Sequence, residues 1–251
     1  MINSLDGLLT GKQAVITGAN RGIGLAISLL FLQHGARVYG CIRNLNSVHE
    51  NEALKPYLEV GQFIAIELDL SSEESVKIAT KSVRQYTKQV DILVNNAGIA
   101  SGAVFQMTSI NDMKALFDVN LFHPMLLTQG IARLMSRAGG AIVNISSSTA
   151  QSIEPGTFAY GSSKAAVERA TKSLALELAV MNIRVNAIAP GITQTEMAGE
   201  MDEAAKSLLV GKSAMKRCAA PADIANTALF LCSDLARHIT GQVLSVDGGL
   251  I

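Results

Sequence analysis

Lys12-Gln-Ala-Val-Ile-Thr-Gly-Ala-Asn-Arg-Gly-Ile-Gly24 is a short apolar run that breaks into a glycine-rich turn, and Leu25 to Gln33 continue it as an apolar-periodic helix. Strand, glycine turn, helix is the context in which a glycine pattern carries meaning. Glycines allow a tight turn and let the backbone approach a pyrophosphate, whose charge suits a helix N-terminus. The spacing Gly18-x-x-x-Gly22-x-Gly24 differs from the commoner Gly-x-Gly-x-x-Gly fingerprint, but its setting points to a dinucleotide site rather than a plain turn.

The next strand, Arg37-Val-Tyr-Gly-Cys-Ile42, says which dinucleotide. NAD-preferring folds place an acidic residue on the ribose diol about ~20 residues past the glycines. Here that place holds Ile42, followed by Arg43. Isoleucine cannot bond a diol, whereas a guanidinium matches a phosphate. Arg21, inside the glycine loop, reaches the same phosphate from the other side. Either arginine alone reads as a solvated surface charge; together they favour NADPH.

Further along, Gln62 to Leu68 reads as a third strand ending at Asp69, a residue suited either to the adenine amino group or to a turn. Ser71 and Glu74 form a capping box for a helix with Val76, Ala79, Val83 and Tyr86 on one face. Asp91 to Asn95 is a fourth strand running into the small residues Asn96-Ala97-Gly98. Ser109 to Arg137 reads as one long helix. Asn120 and Pro124 break its rules, which suggests either a functional kink that frees a carbonyl or a partly exposed polar position. A fifth strand, Ala141 to Ile145, precedes a long helix from Phe158 to Val180. A sixth, Ile183 to Ala189, is cut off by Pro190-Gly191, and Gln242 to Val246 closes the chain. Between them, residues 192–220 carry Met197, Met201, Leu208, Leu209 and Met215. Flexible apolar side chains there suit a mobile lid over a greasy substrate, or an ordinary helix pair. Pro221 opens a further helix at its first turn. Alternating strands and helices without repeats or linkers predict an α/β fold: residues 1–251 as one domain, a doubly wound parallel (Rossmann) sheet with helices on both faces.

Asn144 to Lys164 carries the chemistry. An apolar strand end breaks into Ser146-Ser147-Ser148, and Tyr160 and Lys164 follow, four residues apart on one helical face. A free tyrosine titrates near ~10, too high for ready proton exchange at neutral pH. A nearby ammonium is expected to favour the phenolate and lower that value. A serine from the strand end can hold a substrate oxygen beside the tyrosine. An ordinary surface helix fits the Tyr-x-x-x-Lys spacing equally well, so the rest of the chain decides.

Composition narrows the classes. In 251 residues, 21 basic and 21 acidic side chains balance, without runs of one sign. That argues against nucleic-acid or anionic-membrane surfaces. Hydrophobic content of 49% lacks any stretch of membrane-spanning length. The N-terminus lacks the regions of a secretory signal. Cys41, Cys218 and Cys232 read as buried thiols in a reducing compartment, with neither disulfide nor metal spacing, so a cytosolic, metal-free protein is expected.

Taken in order, Thr17-Gly-x-x-x-Gly-x-Gly24, Asp69, Asn95-Asn-Ala-Gly98, Asn120, Ser147, Tyr160-x-x-x-Lys164 and Pro190-Gly191 give the chain a close resemblance to the short-chain dehydrogenase/reductase family over essentially its full length. The resemblance implies catalysis by Asn120, Ser147, Tyr160 and Lys164. Tyr160 would protonate the carbonyl oxygen as hydride arrives, Ser147 would polarise the carbonyl, Lys164 would tune the tyrosine and bond the nicotinamide ribose, and Asn120 would hold a proton-relaying water. It also implies cofactor contacts at Gly18, Asn20, Arg21, Gly22, Ile23 and Gly24; at Arg43, Asp69 and Leu70; at Asn96, Ala97 and Gly98; at Tyr160 and Lys164; and at Pro190, Gly191, Ile192 and Thr195. The segments Asn186-Ala-Ile-Ala-Pro-Gly191 and Ile239-Thr-Gly-Gln-Val-Leu-Ser-Val-Asp-Gly-Gly249 are most similar to the bacterial 3-oxoacyl-(acyl-carrier-protein) reductases. That implies a homotetramer built on its two long helices and a small carbonyl substrate carried on acyl carrier protein. One segment departs: Ala179-Val-Met-Asn182 lacks the basic residues that grip an acidic carrier, leaving Arg137 and Arg169 as substitutes. Rival expectations are reduction of a free ketone, sugar or polyketide intermediate, or a non-catalytic NADP-binding regulator.

Overall fold

A computed structural model describes residues 7–49, 51–199 and 203–250. Strand β1 (Gln13–Thr17) leads into helix α1 (Gly22–Gln33), β2 (Arg37–Ile42), two short helices α2 (Asn46–His49) and α3 (Lys55–Glu59), β3 (Phe63–Glu67), α4 (Glu73–Tyr86) and β4 (Ile92–Asn95). The second half contributes α5 (Ile110–Phe117), α6 (His123–Met135), β5 (Gly140–Ile145), α7 (Phe158–Glu177), β6 (Ile183–Pro190), α8 (Glu196–Gly199), α9 (Glu203–Lys212), α10 (Pro221–Cys232) and β7 (Val243–Val246). The seven strands form one sheet in the order β3-β2-β1-β4-β5-β6-β7, and all the pairings are parallel. The winding reverses between β1 and β4, which are neighbours in the sheet but far apart in sequence. Such a switch point opens a crevice at the carboxyl ends of the strands.

The strands are almost continuously apolar because both faces are covered. Alternate residues still part company. Ala14 and Ile16 of β1, Ile92 and Val94 of β4, and Val143 of β5 pack on Phe31 of α1 and Ile224 of α10. Val15, Leu93 and Ile142 point the other way, onto Val76 and Val83 of α4, Leu127 and Ile131 of α6 and Ala175 of α7. Near the carboxyl edge, apolar packing gives way to buried amides. Asn95 Nδ2 donates to Thr128 Oγ1 at 2.9 Å and Asn144 Oδ1 at 2.8 Å, and Asn144 Nδ2 donates to Thr171 Oγ1 at 2.9 Å. This chain ties α6, β4, β5 and α7 together just below the crevice.

Several local expectations are corrected. The cap of α4 is Ser72, whose side chain accepts the Ser75 N–H, while the N–H and hydroxyl of Ser71 go to Asp69. Tyr86 is exposed, because only Val76, Ala79 and Val83 of that helix reach the core. The single helix expected over Ser109–Arg137 is two helices joined by a π-helical turn, Asp118–Phe122, with Asn120 at its centre. The helix from Phe158 ends at Glu177 and passes into a separate 3-10 turn, Ala179–Met181. Strand β6 runs through Pro190, which pairs with Val246, rather than stopping before it. Helix α1 begins at Gly22, ahead of the apolar run. Cys41 and Cys232 are buried, but Cys218 is only half-buried. Met201 lies outside the described residues.

One ionisable group stands out in this core. Lys164 on α7 is 5% exposed, and its ammonium donates to the Ile145 carbonyl at 2.9 Å. Burial, with no carboxylate partner among the described residues, disfavours the charged form and pulls its pKa from 10.5 down to about 8. The sign for stability follows. Below about 8 both folded and unfolded chains carry the proton, and the folded state bears the full cost of a buried charge. Between about 8 and 10 the folded chain releases that proton before the unfolded one does, so stability rises with pH, by up to about 1.4 kcal/mol per unit from this group. Denaturant unfolding across that window should show this rise in the wild type and lose it in Lys164→Met. Parallel profiles for the two proteins would contradict the assignment.

Candidate active site

The loops leaving β1, β2, β3, β4, β5 and β6 converge on the crevice. Thr17, the last residue of β1, holds two of them together: its hydroxyl oxygen accepts the backbone N–H groups of Asn96 and Ala97, both at 2.9 Å. Asn96 Nδ2 returns a bond to the Thr17 carbonyl at 2.9 Å. Gly24 is required by this closeness, since a Cβ there would stand 2.0 Å from the Gly18 carbonyl oxygen. Arg21 takes the N-cap position of α1 in extended conformation and contributes no side-chain capping bond, so the helix presents its first N–H groups to an anion. Asn20 fixes the loop from behind, donating to Ser47 Oγ at 2.8 Å and accepting from Asn51 Nδ2 at its carbonyl. Ile23 packs partly buried against the core.

At the far side of the crevice, Arg43 is exposed at the end of β2. Asp69 accepts both the N–H and the hydroxyl of Ser71 at 2.8 Å. Those bonds, with the charge of Arg43 adding to them, hold its carboxyl below the usual range. One Asp69 carboxylate oxygen therefore holds the turn after β3. Leu70 is buried, and its carbonyl contacts His123 Nδ1 at 2.6 Å, a link from α6 that sequence reading did not anticipate.

Four side chains meet around the ends of β4 and β5. Asn120 grips the Ile99 backbone in both directions, accepting its N–H and donating to its carbonyl at 2.9 Å, and donates to Ser163 Oγ at 3.0 Å. The amide side chain is thus engaged, while Pro124, having no N–H, can offer nothing to the Asn120 carbonyl. Gly98 lies against this group: a Cβ there would fall 2.9 Å from Asn120 Oδ1 and 3.4 Å from Lys164 Nζ. Lys164 Nζ stands 5.9 Å from the centre of the Tyr160 ring. The expected lowering of the tyrosine by the lysine is corrected. Burial raises the Tyr160 pKa above its ordinary value, and the opposing influence is the Ser147 hydroxyl. Lys164 directs its ammonium at Ile145 instead. Of the three serines, Ser146 is buried against Glu168 Oε1 at 3.0 Å, and Ser147 is the one whose hydroxyl acts on Tyr160.

The segment after β6 closes over the glycine loop. Gly191 N–H donates to the Val246 carbonyl at 3.0 Å, and Ile192 accepts from Ala219 N–H. The Thr195 methyl lies 3.3 Å from where a Gly22 Cβ would sit. Arg21 forms an ion pair with Glu196 of α8 at 2.7 Å, so the guanidinium expected on a phosphate is engaged by a carboxylate here. Lys212 of α9 pairs with Glu154 on the loop before Tyr160. Both acidic partners were invisible to motif reading, since they come from segments of weak periodicity. Among the described residues no cluster of His, Cys, Asp and Glu is arranged to hold a metal ion, and no helix is long and apolar enough to cross a membrane.

Known proteins resemble this chain over nearly its full length. Residues 18–251 match the family model described as "Enoyl-(Acyl carrier protein) reductase". The chain is 39% identical to a 3-oxoacyl-[acyl-carrier-protein] reductase of Thermotoga maritima, over 97% of this chain and 99% of that one. It is 37% identical to a 3alpha-hydroxysteroid dehydrogenase of Mediterraneibacter gnavus, over 96% and 97%. A solved 7 alpha-hydroxysteroid dehydrogenase, complexed with NADH and 7-oxo glycochenodeoxycholic acid, superposes with a TM-score of 0.93 at 34% identity, covering 100% of this chain and 98% of the other. The glycine-looped crevice, the Ser147, Tyr160 and Lys164 cluster and these relatives lead to one conclusion: the chain belongs to the short-chain dehydrogenase/reductase family of oxidoreductases.

Proposed function

We propose that the chain reduces a ketone to a secondary alcohol with NADPH, and that its substrate is a 3-oxoacyl thioester. The observation that carries this reading is the meeting of Asn120, Ser147, Tyr160 and Lys164 at the end of the crevice whose other end is the glycine loop. The residues present fit a dinucleotide. The Gly18–Gly24 turn and the uncapped start of α1 suit a pyrophosphate; Asn96, Ala97 and Gly98 are small residues that would let a ligand approach; and Pro190, Gly191, Ile192 and Thr195 would complete the site, Thr195 lying against Gly22. Arg43, with no carboxylate within ion-pair distance among the described residues, suits a 2′-phosphate. The Arg21 guanidinium would be shared between that phosphate and Glu196.

When bound, the reduced nicotinamide supplies the hydride. The chain's own part is the proton and the positioning. Tyr160, kept protonated by its buried setting, is ready to give its proton to the carbonyl oxygen. Ser147 donates a hydrogen bond to the same oxygen as negative charge develops on it. Lys164, whose pKa near 8 leaves it able to give and take a proton, lies 5.9 Å from the Tyr160 ring centre and would pass a replacement proton from the Asn120 side of the site.

The mouth suits an apolar substrate. Phe105 and Phe158 meet edge to face at 5.1 Å, and Met107 and Ile153 stand exposed nearby in sequence. We propose residues 192–220 as the lid, latched to the glycine loop by Arg21–Glu196 and to the substrate loop by Lys212–Glu154. A homotetramer is supported by exposed Leu176 and Val180 at the end of α7 and beyond it. The same uncharged Ala179–Met181 turn weakens the case for an acidic carrier and, with the apolar mouth and the steroid-dehydrogenase relatives, favours a second reading: a free hydrophobic ketone such as an oxo-steroid.

Initial rates with NADPH and acetoacetyl-CoA, its carrier-protein counterpart and a 7-oxo bile acid will separate these readings. Turnover of the thioesters exceeding that of the steroid at least tenfold is expected, and the reverse order would transfer the assignment to the second reading. Replacing Arg43 by Ala should raise KM for NADPH about tenfold or more while leaving NADH little changed, as expected for loss of a charge-assisted phosphate contact. Equal losses for both cofactors would remove the phosphate assignment.

A further inference from the structure

The Ser147 hydroxyl has a neighbour that the family pattern above does not include. Ser147 leaves β5 in extended conformation and caps a 3-10 turn, Ser148–Ala150. Its oxygen accepts the Thr149 N–H at 3.3 Å and lies 2.7 Å from Thr149 Oγ1. A serine hydroxyl holds one proton and two lone pairs. With one lone pair facing the Thr149 amide, the direction of the bond between the two hydroxyls decides where the Ser147 proton goes. If Ser147 donated to Thr149, it would have no proton for a substrate oxygen. If Thr149 donates, both Ser147 lone pairs are engaged and its proton is left for the Tyr160 side of the site, where the substrate oxygen would sit.

We propose that Thr149 is a positioning residue for the reduction: its hydroxyl donates to Ser147 and so commits the Ser147 proton to the substrate carbonyl oxygen. The inference rests on the role given to Ser147 above. Three observations support it. Among the described residues the Thr149 hydroxyl has no bonding partner besides Ser147, so its proton is available for that bond. The turn is held rigidly, by Ala150 N–H to the Ser147 carbonyl at 3.0 Å and by Gln151 N–H to the Ser148 carbonyl at 3.0 Å. It is also wedged against α7, since a Cβ on Gly161, the residue after Tyr160, would stand 2.8 Å from the Thr149 carbonyl oxygen. The threonine therefore moves with the tyrosine's helix, and the two hydroxyls form a directed pair beside Tyr160. Donor strength passes along such a pair, since accepting one bond polarises the hydroxyl that gives the next.

The test uses Thr149→Val, which keeps the branched shape and removes the hydroxyl, and Thr149→Ser, which restores the hydroxyl on a smaller side chain. Ser147→Ala runs beside them, with the best ketone of the panel as substrate and NADPH binding measured directly. The inference predicts that kcat falls about tenfold in Thr149→Val, the size of one lost hydrogen bond. KM for the ketone and Kd for NADPH should stay within about twofold, and Thr149→Ser should recover to within about threefold of the wild type. A Thr149→Val enzyme within twofold of wild-type kcat would overturn it. So would equal impairment of Thr149→Ser, which would show that shape rather than the hydroxyl matters. Impaired Ser147→Ala beside unimpaired Thr149→Val rejects Thr149 alone, whereas full activity in Ser147→Ala rejects the Ser147 role and the inference with it.

Discussion

The bond from the buried Lys164 ammonium to the Ile145 carbonyl is the constraint on which the site depends. An amine taken out of water without a carboxylate is costly, and its pKa near 8 records a penalty of roughly 3 kcal/mol. The fold tolerates that cost because the bond joins the first turns of α7 to the last residue of β5. Ser147 begins two residues beyond that carbonyl and Tyr160 lies one turn before the lysine, so this contact helps set the distance between the Ser147 and Tyr160 hydroxyls. A hydrophobic replacement would pack at least as well and would lose the charge that lies beside the tyrosine. Stability is here subordinated to chemistry.

Around this contact the chain replaces apolar packing by directed bonds. The Asn95–Asn144–Thr171 chain fixes the height of β4 and β5 under the site, and the Thr17 hydroxyl locks the β4 loop against the glycine turn. Asn120 clamps Ile99 from a π-helical turn, so its side chain holds the backbone of the loop between β4 and α5. Most of these polar groups are satisfied within the protein; the exception is the Asn95 side-chain oxygen, which is buried without a partner among the described residues. These bonds brace the crevice walls, and among the described residues two ion pairs, Arg21–Glu196 and Lys212–Glu154, tie the segment from α8 to α9 to them. Exposed pairs of the Arg21–Glu196 kind contribute little, about 0–1 kcal/mol, which suits the lid proposed for this segment.

Much of this was legible in the sequence, for identifiable reasons. Parallel strands buried on both faces write themselves as apolar runs, so β1 to β7 were located to within one or two residues. Thr17 to Gly24 and Tyr160 to Lys164 are local patterns whose spacing is set by one turn or one helix. What was lost is whatever depends on distant partners. Ser71 looked like a cap because the sequence does not show that Asp69 competes for its hydroxyl. The helix over Ser109–Arg137 looked continuous because Pro124 marks a fault without saying how it is absorbed. The influence of Lys164 on Tyr160 was overstated, since spacing places the two on one face but cannot show that the ammonium turns to Ile145. Glu196, Glu154 and Thr149 left no signal at all: their meaning comes from the side chains they meet.

The claim that most needs a direct answer is that Tyr160 delivers the proton. Tyr160→Phe removes one oxygen and keeps the ring, so a paired measurement of NADPH binding and single-turnover ketone reduction isolates it. The account predicts cofactor affinity within about threefold of the wild type and a reduction rate lower by at least 10²-fold, the range expected for loss of a general acid. Reduction continuing at a comparable rate would contradict the mechanism, and would mean that the proton reaches the carbonyl oxygen by another route.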